Sequence, residues 1–404
     1  MLSFLRLNAP WLGAGFLLTL FSGFGQTYFI SIFAGEIRAE FGLSHGQWGG
    51  IYTLGTGASA VVMVWAGALT DRFRIRALGL IVLVLVSMAC LFMAGVRAAW
   101  LLPLVIFSLR FTGQGMLSHL AVVAMARWFT AARGRALSIA GLGFSAGEAF
   151  LPLIFVSLLA VFDWRLLWMA SALVALMGIP VLWGLLRQER TPQSFAQSDQ
   201  SLGMQGRHWT RTDALRHPLF WCMVPALLGP PAFGTAFFFH QVHFAGLTGL
   251  EHIQLVALFP IYTGGAILAM MGAGALLDRI GTARLIPWIQ LPMIVAFTLF
   301  GLAQGVGGIV LGILFFAATN GAQATVPNAF WAEFYGTRHL GAIKALASAI
   351  MVLGSALGPG ITGALIDWGI GLQVQYLGVA GFFGLTTLLM WVGIRSARGS
   401  LAAA

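Results

Sequence analysis

Charge is scarce in this chain of 404 residues: only 8% are Asp, Glu, Lys or Arg, while 59% are apolar. A soluble protein of this size carries roughly a quarter charged residues, so soluble globular, coiled-coil and disordered classes are excluded. Cysteine is nearly absent as well. Cys90 and Cys222 both lie inside apolar runs, which removes a disulfide framework and a cysteine-based zinc site. Lysine occurs once, at Lys344 in Gly341-Ala342-Ile343-Lys344, and no GxxxxGK[ST] stretch exists, so ATP has no P-loop to bind. The net charge of +10 is not a nucleic-acid surface, because the basic residues come in short clusters between apolar runs, as membrane orientation signals do. No catalytic triad, HExxH pattern or cofactor motif falls within those runs, so neither an enzyme nor a bound cofactor is expected.

What remains is apolar sequence with a mean hydropathy of +0.89. At roughly 20 residues per membrane crossing, it divides into twelve spans, the first near 11–34, the seventh near 218–245, the eighth near 253–277 and the last near 373–394. The long polar stretch 187–216 is expected to link two six-helix bundles, 1–186 and 217–404. It ends in Thr210-Arg211-Thr212-Asp213, a capping-box start to a short helix before Pro218. Most arginines, among them Arg6, Arg72, Arg127, Arg187, Arg279 and Arg395, fall on one side of the spans, against Arg38, Arg97 and Arg165 on the other. The positive-inside rule then places both termini and the linker in the cytoplasm. The expected setting is a multi-pass inner (plasma) membrane protein, as a monomer.

The halves repeat. Gly67-Ala68-Leu69-Thr70-Asp71-Arg72 recurs as Gly274-Ala275-Leu276-Leu277-Asp278-Arg279, and the same spacing carries Gly134 to Gly341, Gly147 to Gly354 and Pro152 to Pro359. Parallel repeats around a mid-membrane site are a transporter architecture.

These residues resemble the major facilitator superfamily over essentially the whole chain. Its signature loop after the second helix, Gly-x-x-x-Asp-Arg-x-Gly-x-Arg-Arg, is matched by Gly67, Asp71, Arg72 and Arg76, with Arg74 in place of the second glycine; the second copy keeps Gly274, Asp278, Arg279, Gly281 and Arg284. A carboxylate at a membrane rim can latch onto the unpaired N–H groups of a helix N-terminus. The resemblance implies that role for Asp71 and Asp278, assisted by Arg127 and Arg338, in holding the cytoplasmic side closed, with Lys344 within reach of Asp71. Arg127-Trp128-Phe129 through Arg133-Gly134-Arg135, followed by Gly141, Gly143, Gly147 and Pro152, looks like the monocarboxylate and oxalate/formate porter branch. Thr210 through Pro218 points the same way. That branch commonly carries an anion-binding arginine in the eighth helix; here the eighth span has no Lys or Arg.

An ionisable side chain at mid-bilayer costs about 2.5–3.5 kcal/mol on insertion scales and marks function by default. Arg110 lies about 15 Å into the fourth span and Glu148 about 20 Å into the fifth at 1.5 Å per residue, depths at which they are expected to pair or exchange partners. Arg110 through Gly115 also resembles the Arg-x-x-x-Gln-Gly pattern of proton-coupled facilitators, with Gln114 one turn on. Further candidates for the cavity are His119, Gln26, Tyr28, Tyr262, Asn320, Gln323 and His240, the last spaced i, i+3 from His243, a pair that lacks a third ligand for a metal. The reading is a secondary transporter working by alternating access on a small organic anion, a monocarboxylate first, with protons. A proton-driven exporter of amphipathic cations and a non-transporting membrane receptor are its rivals.

Overall fold

The computed structural model describes residues 2–129, 132–188 and 202–400, with the side chains of Leu2, Ser3, Asp71, Arg133 and Ser400 outside the description. It is all-helical, with no strand among the described residues. Among the described residues twelve helices are long and apolar enough to cross a membrane: α1 (Phe4–Gly25), α2 (His45–Ala66), α3 (Ile75–Gly95), α4 (Ala99–Trp128), α5 (Gly134–Leu159), α6 (Trp164–Leu185), α7 (Pro218–Phe239), α8 (His252–Ile280), α9 (Thr282–Leu302), α10 (Val306–Tyr335), α11 (Leu340–Asp367) and α12 (Leu372–Ala397). The chain forms two compact units, Met1–Gln197 with Phe238–Val242, and Ser198–Phe237 with His243–Ala404.

In the first unit α1 packs on α5, α2 on α4, and α3 on α6. Glycines set the closest approach: a Cβ on Gly143 would lie 2.3 Å from the Thr19 hydroxyl, and one on Gly147 2.8 Å from that of Tyr28. The start of α2 is fixed by a reciprocal cap, Gln47 N–H donating to Ser44 Oγ (3.1 Å) and Ser44 N–H to Gln47 Oε1 (2.9 Å). Phe29 meets Phe155 at 4.8 Å and Trp168 at 5.2 Å, edge to face, an arrangement that matches ring edges to ring faces electrostatically.

Two helix boundaries differ from the sequence expectation. The first span was expected at 11–34, but α1 begins earlier and breaks at Ser22–Gly25, a tightened turn followed by extended Gln26 (φ −86°, ψ 153°). Gly23 and Gly25 cost helix stability at that point, and the chain resumes as the short helices Thr27–Ile30 and Ala34–Phe41. The seventh span, expected to run to 245, stops at Phe239 and restarts as Gln241–Leu247.

The second unit repeats the pairing, with α8 on α10 and α9 on α12. A Cβ on Gly354 would lie 2.6 Å from Leu228 O, so α7 and α11 touch at the repeat partner of Gly147. Phe237, Phe244, Phe297, Phe300, Phe316 and Tyr376 form a solid aromatic core, with Phe237 stacked on Phe300 at 4.7 Å. Of the 187–216 linker, residues 189–201 lie outside the described residues. Its end is packed: Met204 and Trp209 are buried, Trp209 N–H donates to Tyr335 O (3.1 Å) and its indole N–H to Met204 O (3.0 Å). The helix Arg211–Arg216 opens on the Thr210–Asp213 capping box.

Candidate functional site

The break in α1 creates an acceptor inside the first unit. Extended Gln26 interrupts the helical ladder, and the Gly25 carbonyl beside it receives a hydrogen bond from Arg110 Nη1 (3.1 Å). Arg110 opens a π-helical stretch, Arg110–Leu117, in α4, a widening that recurs at functional sites. Gly25 and Gly113 let the two backbones meet, since a Cβ on Gly25 would lie 2.7 Å from Gln114 N.

Arg110 is 1% exposed. Nη1 also donates to Thr27 Oγ1 (3.4 Å), Thr27 shares a 2.5 Å hydrogen bond with the Tyr52 hydroxyl, and the Arg110 Cζ lies 5.3 Å from the Tyr52 ring centroid. Nε donates to nothing. Among the described residues no carboxylate pairs with this guanidinium, so the expected bond to Glu148 is not formed. Glu148 is half-buried on α5. Next to it in the chain, Gly147 leaves room for the Tyr28 hydroxyl, so the ring from the broken end of α1 packs against α5 there.

Phe238–Val242 closes over this region of the first unit. Ser31 Oγ donates to Phe238 O (2.7 Å), and Gln241 Nε2 donates to Ser31 Oγ (2.7 Å) and Tyr28 O (3.3 Å). Phe239 lies 4.7 Å from the Tyr52 ring and 5.6 Å, stacked, from Trp48. His240 is buried, its ring 5.9 Å from that of His45. Among the described residues no group of three or more His, Cys, Asp or Glu side chains could hold a metal.

The other candidates scatter. Gln26 is buried at the α1 break, and Gln114 is half-buried with its backbone against Gly25. His119 faces the signature loop, its Nε2 3.2 Å from Gly67 O. In the second unit Tyr262 stacks on Phe316 at 5.3 Å, Asn320 Nδ2 donates back to Phe316 O (3.3 Å), and Gln323 is half-buried. Among the gate residues Arg127 Nη1 donates to Thr70 O (2.6 Å), holding the turn that carries Asp71. Arg76 reaches the C-terminal end of α6, donating to Leu186 O and Arg187 O (3.3 Å each) over the Trp183 ring at 4.9 Å. Arg72, Asp278, Arg279 and Arg338 are exposed and Lys344 is half-buried; the Asp71 side chain lies outside the described residues. Sequence reasoning missed Thr27, Tyr52 and Phe239, uncharged residues of which only Thr27 lies beside a local signal, the Gly23–Gly25 break.

The same architecture occurs in solved transporters. The chain aligns over 98% of its length, and 98% of the other's, with a bacterial homolog to the human lysosomal transporter Spinster in an inward-facing and unoccupied conformation (TM-score 0.75, 16% identity). The same homolog in an inward-facing and occupied conformation gives a TM-score of 0.72 at 16% identity, over 97% of this chain and 98% of that one. The nucleoside transporter NupG gives 0.71 at 14% identity, over 96% and 98%. Among curated protein sequences none matches this chain. The family model of the Major Facilitator Superfamily matches residues 15–327, and the chain therefore belongs to that superfamily of membrane transporters.

Proposed function

We propose that this protein is a secondary transporter that moves a small organic anion, a monocarboxylate by preference, together with a proton. The observation that carries the reading is the buried Arg110 guanidinium with an unpartnered Nε and no carboxylate bound to it among the described residues. Burying an ion costs several kcal/mol even after relaxation. Two neutral oxygens and a ring face offset part of that cost; a carboxylate supplies the opposite charge in the geometry guanidinium prefers. With no basic residue in 253–277, this reading takes the positive charge for an anion from Arg110 on α4 rather than from the eighth helix usual in the monocarboxylate and oxalate/formate branch. Glu148 is the proton carrier of this reading, because a half-buried carboxyl can change protonation in the working pH range and an arginine cannot. The two six-helix bundles alternate access as a monomer in the inner membrane, with both termini cytoplasmic and no ATP.

The test is uptake of labelled monocarboxylates into proteoliposomes carrying the purified protein. Accumulation driven by an inside-alkaline pH gradient, abolished by a protonophore and by Arg110→Ala, is expected. Carboxylate uptake at the rate of empty liposomes under every gradient would overturn the reading.

A further inference from the structure

The guanidinium of Arg110 has two edges that can bind a planar anion, and the protein uses them unequally. Its hydrogen bonds leave from Nη1, to Gly25 O at 3.1 Å and Thr27 Oγ1 at 3.4 Å. Nε is buried and unpartnered, and among the described residues no hydrogen bond leaves Nη2. A carboxylate prefers two parallel N–H···O bonds along one edge of the fork. The Nε–Nη2 edge is the one left for it.

What holds the fork in that orientation is a chain of uncharged groups. Thr27 is fixed by its 2.5 Å hydrogen bond to the Tyr52 hydroxyl. Tyr52 is fully buried, with Arg110 Cζ 5.3 Å from its ring and Phe239 packed 4.7 Å away. Phe239 is backed in turn by Trp48 and lies in Phe238–Val242, which Ser31 and Gln241 fasten to the first unit. A long, rotatable side chain with only the Gly25 carbonyl to grip could present either edge. With Thr27 taking Nη1, one edge is selected before any ligand arrives, which reduces the ordering cost of binding.

We infer that Thr27 and Tyr52 are positioning residues for a side-on carboxylate on the Nε–Nη2 edge of Arg110. The inference rests on the anion reading above. A site built this way discriminates by shape as well as charge: a planar carboxylate matches the edge, whereas a tetrahedral sulfonate of equal charge and chain length matches it less well. A lysine at 110 would keep the charge and lose the discrimination, because an ammonium is a point charge with no fork.

Calorimetric titration of the purified full-length protein with propionate and with ethanesulfonate tests this, on wild type, Thr27→Val, Tyr52→Phe and Arg110→Lys. Tyr52→Phe keeps the ring against Phe239, and ligand-free melting temperatures identify any variant that fails to fold. Wild type is expected to prefer propionate. Thr27→Val and Tyr52→Phe are each expected to lose about tenfold in propionate affinity, the order set by one hydrogen bond, and less for ethanesulfonate, so that the preference shrinks. Arg110→Lys is expected to bind the two anions alike. A merely structural role for Thr27 and Tyr52 would lower both affinities together. Folded Thr27→Val and Tyr52→Phe with wild-type propionate affinity and preference would overturn the inference while leaving the anion reading standing. Wild type that binds neither anion would overturn both.

Discussion

Gly25 and Gly113 meet backbone to backbone: a Cβ built on Gly113 would lie 2.6 Å from the Gly25 Cα, and one built on Gly25 would lie 2.2 Å from Leu109 O. Neither clash involves a flexible side-chain tip, so the helices must move apart to relieve it. Gly113→Ala is expected to cost about 1–3 kcal/mol and to displace Arg110 from Gly25 O. Gly141, on α5, has no atom within 4 Å of its would-be Cβ, so Gly141→Ala is expected to be neutral or to gain about 0.5–1 kcal/mol. Paired thermal denaturation of the two variants checks the contrast.

The packed end of the linker carries a pH dependence. His217 Nδ1 accepts the Leu219 N–H (3.3 Å) and its ring meets Trp209 at 4.9 Å. Burial, with the Arg207 charge, holds the imidazole below its usual 6.5. A histidine depressed in the folded state contributes stability that is present above pH 6.5 and lost as pH falls through the lowered value. Amide exchange across 202–217, corrected for intrinsic rate, is expected to accelerate below pH 6.5 in wild type and to stay flat in His217→Gln. Asp213 is separable by its window: Thr210's hydrogen bonds hold its carboxyl below the usual 3.8, so its capping box opens only at more acidic pH.

Arg76 belongs to the signature loop by sequence, yet it caps α6 through Leu186 O and Arg187 O. A cation on the last carbonyls of a helix complements its dipole. Arg76→Ala is expected to lose about 1 kcal/mol of stability, whereas exposed Arg72→Ala stays within about 0.5 kcal/mol. Equal melting temperatures for both variants would reject the cap.

Glu148→Gln keeps the volume and polarity beside Tyr28 while removing the titratable proton. In proteoliposomes this variant is expected to retain carboxylate exchange between the two faces and to lose accumulation driven by a pH gradient. Gradient-driven accumulation at the wild-type rate would remove Glu148 as the proton carrier.

The architecture was legible because it rests on local properties: long apolar runs, the Gly67 and Gly274 repeat, and glycines at helical spacing where backbones approach. That Arg110 would be buried was legible for the same reason, as a charge deep in an apolar run. The surroundings of Arg110 were not. Thr27, Tyr52 and Phe239 are far apart in the chain and chemically ordinary, and they converge only because α1 breaks at Gln26 and the chain returns to the first unit at Phe238–Val242. Depth alone suggested that Arg110 and Glu148 would pair; it could not show that Gly147 admits Tyr28 beside Glu148. Nor could motif membership show that His119 would turn toward Gly67 O.

The central claim is that the buried Arg110 site takes a small organic anion, and ligand-induced thermal stabilisation tests it most directly. A ligand that binds only the folded state raises the apparent melting temperature by mass action. Small carboxylates are expected to stabilise wild type, and to leave Arg110→Ala unchanged, at both pH 5.5 and pH 8 as chosen test conditions. Stabilisation by lipophilic cations instead, equal in wild type and Arg110→Ala and stronger at the higher pH, would contradict the claim and point to an exporter of amphipathic cations.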